Sequence, residues 1–276
     1  MIDAHHHLWN YSPEEYGWIS EEMRVLRRDF LPVDLKQQMD AAGVTGAVAV
    51  QARQTLEETQ WLLDHARRND FMLGVVGWVP FAEPTVARDI DRFAADPKLK
   101  GFRHVIQDEP DDRFLLGAAF NAGIRQLLPT GLVYDILIFE RHLPVAMEFV
   151  DAHPQQVFVL DHIAKPRIRD AALSPWKANL MELARRQNVY CKLSGMATEA
   201  NWGAWSADGL QPYFDVALEA FTPQRLMFGS DWPVLEVAGS YQRWAETVRG
   251  WLAPLSTTEQ QRILQGTASE VYRLIK

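Results

Sequence analysis

Two short segments at opposite ends of the chain carry residues that can do chemistry together: Ile2-Asp3-Ala4-His5-His6-His7-Leu8-Trp9 and Phe228-Gly229-Ser230-Asp231-Trp232-Pro233. Imidazole nitrogens bind zinc-like metals and move protons near neutral pH, and a carboxylate can ligate a metal or take a proton from water. Side chains alternate along an extended strand, so His5 and His7 share one face and His6 takes the other. Only the first pair can converge on a common ligand. A lone Ser-Asp after a strand commonly caps the next helix. Beside a His-x-His pair, Asp231 instead completes three groups able to hold one metal ion or to activate a water molecule.

The rest of the chain must bring these ends together. Eight apolar runs alternate with stretches of helical periodicity: Ile2–His7, Ala47–Ala52, Met72–Pro80, Leu99–Ile106, Leu132–Ile138, Val157–Ala164, Val189–Gly195 and Leu226–Pro233. That alternation builds parallel sheets through crossover helices, and eight strands can close a barrel. The expected fold is an α/β (β/α)₈ barrel in a single domain spanning residues 1–276, near the usual barrel size of about 250 residues. Strands one and eight are neighbours in a closed barrel, and their carboxyl ends lie at the catalytic face. His5, His7 and Asp231 would meet there. Leu35 with Met39, and Leu143 with Met147, are spaced to pack on single helix faces. Ser256-Thr-Thr-Glu259 and Thr267-Ala-Ser-Glu270 match the capping box and predict two terminal helices. The irregular stretch from about Trp9 to Pro32 is expected to be an active-site loop.

Composition excludes several classes. A net charge of −8 argues against a nucleic-acid partner, which requires a basic face. The single cysteine, Cys191, allows no internal disulfide and no cysteine-based zinc finger. No basic-then-apolar leader or membrane-length apolar run is evident, so a cytoplasmic location without membrane attachment is expected. Nothing in the helix faces distinguishes subunit contacts from ordinary surface, and the oligomeric state stays open.

Taken in order, Ile2-Asp-Ala-His-His-His-Leu-Trp, Val50-Gln-Ala, Val76-Gly-Trp-Val, Gly101-Phe-Arg-His, Leu160-Asp-His-Ile-Ala-Lys-Pro, Cys191-Lys-Leu-Ser-Gly and Phe228-Gly-Ser-Asp-Trp-Pro cover nearly the whole chain. The series resembles the amidohydrolase superfamily, in the branch that includes the L-fuconolactonases and L-rhamnonolactonases. The resemblance implies a carboxylic-ester hydrolase that opens a small sugar-acid lactone. In that reading His5, His7 and Asp231 bind metal, Asp231 activates the attacking water, and His162 polarises the scissile carbonyl or assists proton transfer. The catalytic set is then Asp231, His162, His5 and His7. Aromatic-catabolism lactones, of the muconolactone or pyrone-carboxylate type, and zinc-dependent decarboxylation are the alternatives on the same fold.

The fifth run, Leu132-Val-Tyr-Asp-Ile-Leu-Ile138, lacks the histidine that robust zinc sites of the superfamily take from that strand. Asp135 is either a substitute oxygen ligand or a buried, hydrogen-bonded acid. The expectation is therefore one zinc ion in a weak mononuclear site, with metal-independent hydrolysis as the other route. The small-molecule lactone would be held by Arg28, Gln51, His104, Lys192 and Trp232. Arg28 and His104 enter by the resemblance, with Arg103 facing outward unless a bulge turns it in. Arg53 follows Gln51 at the same strand end. Lys192 sits in an apolar run, a costly place for an ammonium unless it faces the mouth or an acid. The mouth is the expectation. Trp9, Trp78, Trp202 and Trp232 are either walls for a sugar ring or packing.

Overall fold

The computed structural model describes residues 1–274. Eight parallel strands run in sequence order: β1 (Ile2–His6), β2 (Gly46–Val50), β3 (Met72–Gly77), β4 (Leu99–Val105), β5 (Val133–Leu137), β6 (Phe158–Leu160), β7 (Val189–Leu193) and β8 (Leu226–Phe228). The segment after β8 returns to β1 through two backbone hydrogen bonds, Asp231 N–H to His5 O at 2.8 Å and His7 N–H to Trp232 O at 2.7 Å. The fold is a (β/α)₈ barrel. Its helices are α1 (Pro32–Ala42), α2 (Leu56–Arg68), α3 (Val86–Ala94), α4 (Ala118–Ile124), α5 (Leu143–Asp151), α6 (Trp176–Leu183), α7 (Ala207–Arg225), α8 (Tyr241–Leu252), α9 (Thr257–Gln261) and α10 (Thr267–Val271).

Alternation divides each strand between two buried layers. Val48, Val50, Val76, Val133, Val159 and Met227 fill the barrel, while Ala47, Ala49, Val75, Phe102, Tyr134, Ile136, Phe158 and Leu160 pack outward against the helices. Leu35, Met39 and Leu143 are buried in that outer layer, with Met147 packed against its edge. Ala268, Val271 and Tyr272 of the C-terminal segment join the inner cluster and plug the end of the barrel away from the strand carboxyl termini.

The strands are shorter than the apolar runs, and the difference lies where the site is. The run predicted to reach Ala164 ends as a strand at Leu160. It continues through four consecutive left-handed residues, His162 (φ 53°), Ile163 (φ 48°), Ala164 (φ 62°) and Lys165 (φ 47°). Such backbone costs roughly 1–2 kcal/mol per non-glycine residue and persists only where surroundings impose it. Here the Trp176 indole N–H, donating to Ile163 O at 2.7 Å, is one such constraint.

The two terminal capping boxes fare differently. Ser256 and Glu259 cap each other as expected, with Ser256 N–H donating to Glu259 Oε2 at 2.9 Å. Thr267 caps nothing. Arg262–Gly266 form a wide helical turn that runs directly into α10, so the Thr267 hydroxyl is released to donate to Gln224 O at 3.3 Å.

Candidate active site

The catalytic end of the barrel depends first on one extra residue in β1. Strict alternation from Ile2 and Ala4, which pack inside, would turn His5 outward. The register against β2 shifts between Asp3 and His6, which pair with Ala47 and Ala49, and this bulge brings His5 inward beside His7. Asp3 locks the junction: its carboxylate accepts from Ser230 N–H at 2.8 Å, Ser230 Oγ at 2.6 Å and Tyr241 Oη at 2.9 Å. Burial raises the Asp3 pKa to about 6, with those hydrogen bonds pulling the other way. Gly229 is required at the same seam, because a Cβ there would stand 2.9 Å from the His5 Cβ.

His5 Nε2 and His7 Nε2 are 3.2 Å apart, and Asp231 Oδ1 lies 3.7 Å from the first and 3.4 Å from the second. His162 Nε2 is 3.8 Å from the same oxygen, and His5, His162 and Asp231 form a buried trio able to hold a metal. Ligands at about 2.0–2.1 Å around a tetrahedral zinc stand about 3.3–3.4 Å from one another. The observed separations bracket that edge length, so the donor set fits zinc. The far side of two rings is engaged as in metal-ligating histidines, His7 Nδ1 meeting Val50 O at 2.8 Å and His162 Nδ1 meeting Ser194 Oγ at 2.8 Å. His5 Nδ1 has Lys192 Nζ at 3.1 Å and, at 3.3 Å, Asp161 Oδ1, a buried acceptor with no hydrogen bond of its own.

The electrostatics agree with a dry, polar centre. Burial depresses the pKa of His5 far below its ordinary value and that of His162 to about 4, so both rings are neutral at pH 7. Burial opposes ionisation of Asp231, but the neighbouring His162, His7 and His5 outweigh it and hold the carboxyl below the usual carboxylate range.

A cavity of about 750 Å³ opens over this centre. His7, Arg103, His162 and Asp231 form its floor, while Glu15, Trp18, Arg53, Lys165, Glu199 and Trp202 stand around its walls and rim. Glu15 and Trp18 come from the long first loop, which is pinned by paired backbone bonds between Trp9 and Phe30 and by an ion pair from Glu15 to Arg53.

The four residues expected to do the chemistry thus come together, whereas the five expected to hold substrate do not line the cavity. Lys192 is fully buried below His5, bonded to Asp135 Oδ2 at 2.6 Å and Asp161 Oδ1 at 2.9 Å, because an ammonium inside a barrel is stable only between acids. Asp135 is correspondingly the buried, hydrogen-bonded acid and not a ligand; it also accepts from Tyr272 Oη at 2.9 and 2.8 Å. Gln51 is fully buried, and its amide donates to Arg103 O at 3.2 Å. His104 and Arg103 exchange the places expected of them. In regular β4–β5 register Arg103 sits on the inner face with Asp135, and His104 points outward, stacked on Phe114 and bonded to Glu109 at 2.7 Å. Arg28 lies half exposed over the Phe30 ring, reaching toward Glu236. Trp232 packs edge-on to Phe30 and donates to Glu236 Oε1 at 2.8 Å. Trp202 is a wall, while Trp9 is core. Asp161 had its signal in the sequence, an acid directly before the strand-six histidine. Glu15, Trp18, Lys165 and Glu199 are loop residues with no periodicity to mark them.

Gly195 adds a testable constraint. Its φ is +67°, and a Cβ there would stand 2.7 Å from His162 Cβ, Cγ and Nδ1. Gly195→Ala is expected to displace the His162 ring and to cost roughly 1–3 kcal/mol of stability through the combined strain and clash. Urea unfolding and kinetics on the same preparation check this: activity should fall more than the unfolded fraction accounts for.

Comparison with known proteins follows the same residues. The amidohydrolase family pattern matches residues 2–274. The chain is 42% identical over 284 residues to the L-fucono-1,5-lactonase of Burkholderia multivorans, covering 99% of this chain and 96% of that protein. It is 35% identical over 281 residues to the L-fucono-1,5-lactonase of Burkholderia ambifaria, covering 99% and 95%. A crystal structure of an amidohydrolase from Burkholderia multivorans with bound zinc superposes with a TM-score of 0.96 at 42% identity, over 99% of each chain. Barrel, converging histidines and full-length similarity lead to one statement: this chain belongs to the amidohydrolase family.

Proposed function

We propose that the protein hydrolyses a sugar-acid lactone of the L-fucono-1,5-lactone type to the open acid. The observation that carries the reading is the convergence of His5, His7, His162 and Asp231, the last three of them on the floor of a sugar-sized cavity. It occurs in a chain 42% identical along its length to an L-fucono-1,5-lactonase.

His5, His7 and Asp231 hold one zinc ion in this reading. When bound, zinc polarises an ester carbonyl and lowers the pKa of water. The division of labour between His7 and His162 follows from their partners. Val50 O can only accept, so His7 keeps its proton on Nδ1 and offers a lone pair at Nε2. Ser194 Oγ can donate or accept, so His162 is free to change tautomer, as a proton-handling residue must. Asp231 accepts the proton of the attacking water, and that proton passes by way of His162 Nε2, 3.8 Å from Asp231 Oδ1, to the ring oxygen as the carbonyl carbon–ring oxygen bond breaks. The Arg103 guanidinium, 3.4 Å from His5 Nε2, adds positive potential where the tetrahedral oxyanion develops.

The cavity favours a neutral polyhydroxylated ring over a dicarboxylate. Arg53 is paired with Glu15 and Arg103 with Asp161, leaving among the lining cations of the described residues only Lys165 without an ion-pair partner. Asp108 and Glu199 add negative charge to the same walls. Trp18 and Trp202 offer apolar faces to a sugar ring.

A screen of aldonolactones against a pyrone dicarboxylate, followed by pH indicator with and without chelator, tests the reading. Proton release from a sugar lactone, lost on chelation and restored by zinc, is the expected result. Activity confined to the dicarboxylate, or stoichiometric carbon dioxide, would replace it with one of the other chemistries of this fold. Activity indifferent to complete zinc removal would assign the hydrolysis to the histidines and Arg103 alone. The protein is expected to act in the cytoplasm; no helix among the described residues is long and apolar enough to cross a membrane.

A further inference from the structure

Beneath His5 lies a buried set of four charged groups, Asp135, Asp161, Lys192 and Arg103, none more than 3% exposed. Two anions and two cations balance, which is the condition for such a set to persist away from water. Asp161 links all the other charged groups but Asp135 to the site: Oδ2 accepts from Arg103 Nη1 at 3.0 Å, and Oδ1 lies 2.9 Å from Lys192 Nζ and 3.3 Å from His5 Nδ1. Lys192 Nζ is itself 3.1 Å from His5 Nδ1.

His5 Nδ1 therefore faces one group that only donates and one that only accepts. Lys192 can donate to Nδ1 only when that nitrogen is unprotonated, which places the ring proton on Nε2 and blocks ligation. Asp161 can accept from Nδ1 only when Nδ1 carries the proton, which leaves the Nε2 lone pair facing His7 and Asp231. Lys192 can give up His5 without being orphaned, because Asp135 holds it at 2.6 Å and Asp161 at 2.9 Å. Asp135 is in turn fixed by Tyr272 from the barrel plug.

We propose that Asp161 is a positioning residue that selects the metal-ligating tautomer of His5, with Lys192 and Arg103 serving as its counter-cations. The inference rests on the zinc reading above, and His5 belongs to both donor trios that the site offers. Asp135 supplies an internal control: it is an equally buried acid on the same ammonium, but it does not touch His5.

The test is zinc affinity of the whole protein, measured by competition with a chromophoric chelator, together with ¹⁵N histidine spectra of the zinc-free protein. Asp161→Asn is expected to weaken zinc binding by about 10–100-fold and to lower the fraction of His5 that carries its proton on Nδ1, whereas Asp135→Asn should stay within about threefold of the parent. If Asp161→Asn does not fold, the charge-balanced pair Asp161→Asn with Lys192→Met carries the same expected loss of zinc affinity, without the tautomer change that Lys192 drives. Variants lacking Asp161 that bind zinc as tightly as the parent overturn the inference, as does equal loss in Asp135→Asn. A parent protein that binds no zinc overturns the metal reading, and this inference with it; a zinc-binding parent with unaffected variants overturns this inference alone.

Discussion

Asp231→Asn is expected to lower kcat on the hydrolysed lactone by about 10²–10⁴-fold, the range lost when a positioned general base is removed. The substitution retains the shape of the side chain and one acceptor oxygen, so KM should change little. It is also mild toward the fold, because Asp231 holds a left-handed backbone conformation (φ 60°) that asparagine adopts as readily. Both backbone bonds closing β8 onto β1 are main-chain and survive the change. What disappears is the negative charge surrounded by three imidazoles and the capacity to take a proton. Steady-state kinetics, with zinc content measured in each preparation, separates the two losses: low kcat at full zinc occupancy supports proton acceptance, and low kcat that recovers with added zinc supports ligation. Unchanged turnover would remove Asp231 from the mechanism.

Lys192→Met carries the second large effect, and it is an effect on stability. A lysine reaching the barrel mouth to grip a substrate would raise KM when shortened and leave folding alone. The observed Lys192 lies between two carboxylates with no exposed surface. Methionine matches its length without its charge and leaves Asp135 and Asp161 facing each other with Arg103 as the one remaining cation. Removing one partner of a buried ionic set typically costs about 3–5 kcal/mol. Urea unfolding of the parent and variant should show a loss of that size at pH 7; a loss under about 1 kcal/mol with a raised KM would restore Lys192 to the mouth.

These two expectations mark how far the residues could be read without the fold. His5, His7 and Asp231 were legible because strand alternation and the adjacency of first and last strands in a barrel are local or topological rules, independent of side-chain detail. The same alternation misplaced His104 and Arg103. Either residue satisfies a parity argument once the starting face is unknown, and only the β4–β5 register decides which one points inward. His5 itself faces the site through a bulge that strict periodicity does not contain. The substrate walls were least legible: Glu15, Trp18, Lys165 and Glu199 sit on loops, and their position depends on contacts such as the Glu15–Arg53 ion pair and the left-handed turn through Lys165.

The sequence by itself determined the barrel, the order of its strands and the convergence of His5, His7 and Asp231, since hydrophobic periodicity and barrel closure leave little freedom in where strand ends meet. The family resemblance added His162 to them, while only the tertiary structure decided that Lys192 is a buried counter-ion and not a hand for substrate, and that Asp161 stands behind His5. Those outcomes turn on ångström-scale distances between charges from different strands, where burial makes an unpaired group costly and a matched one stable.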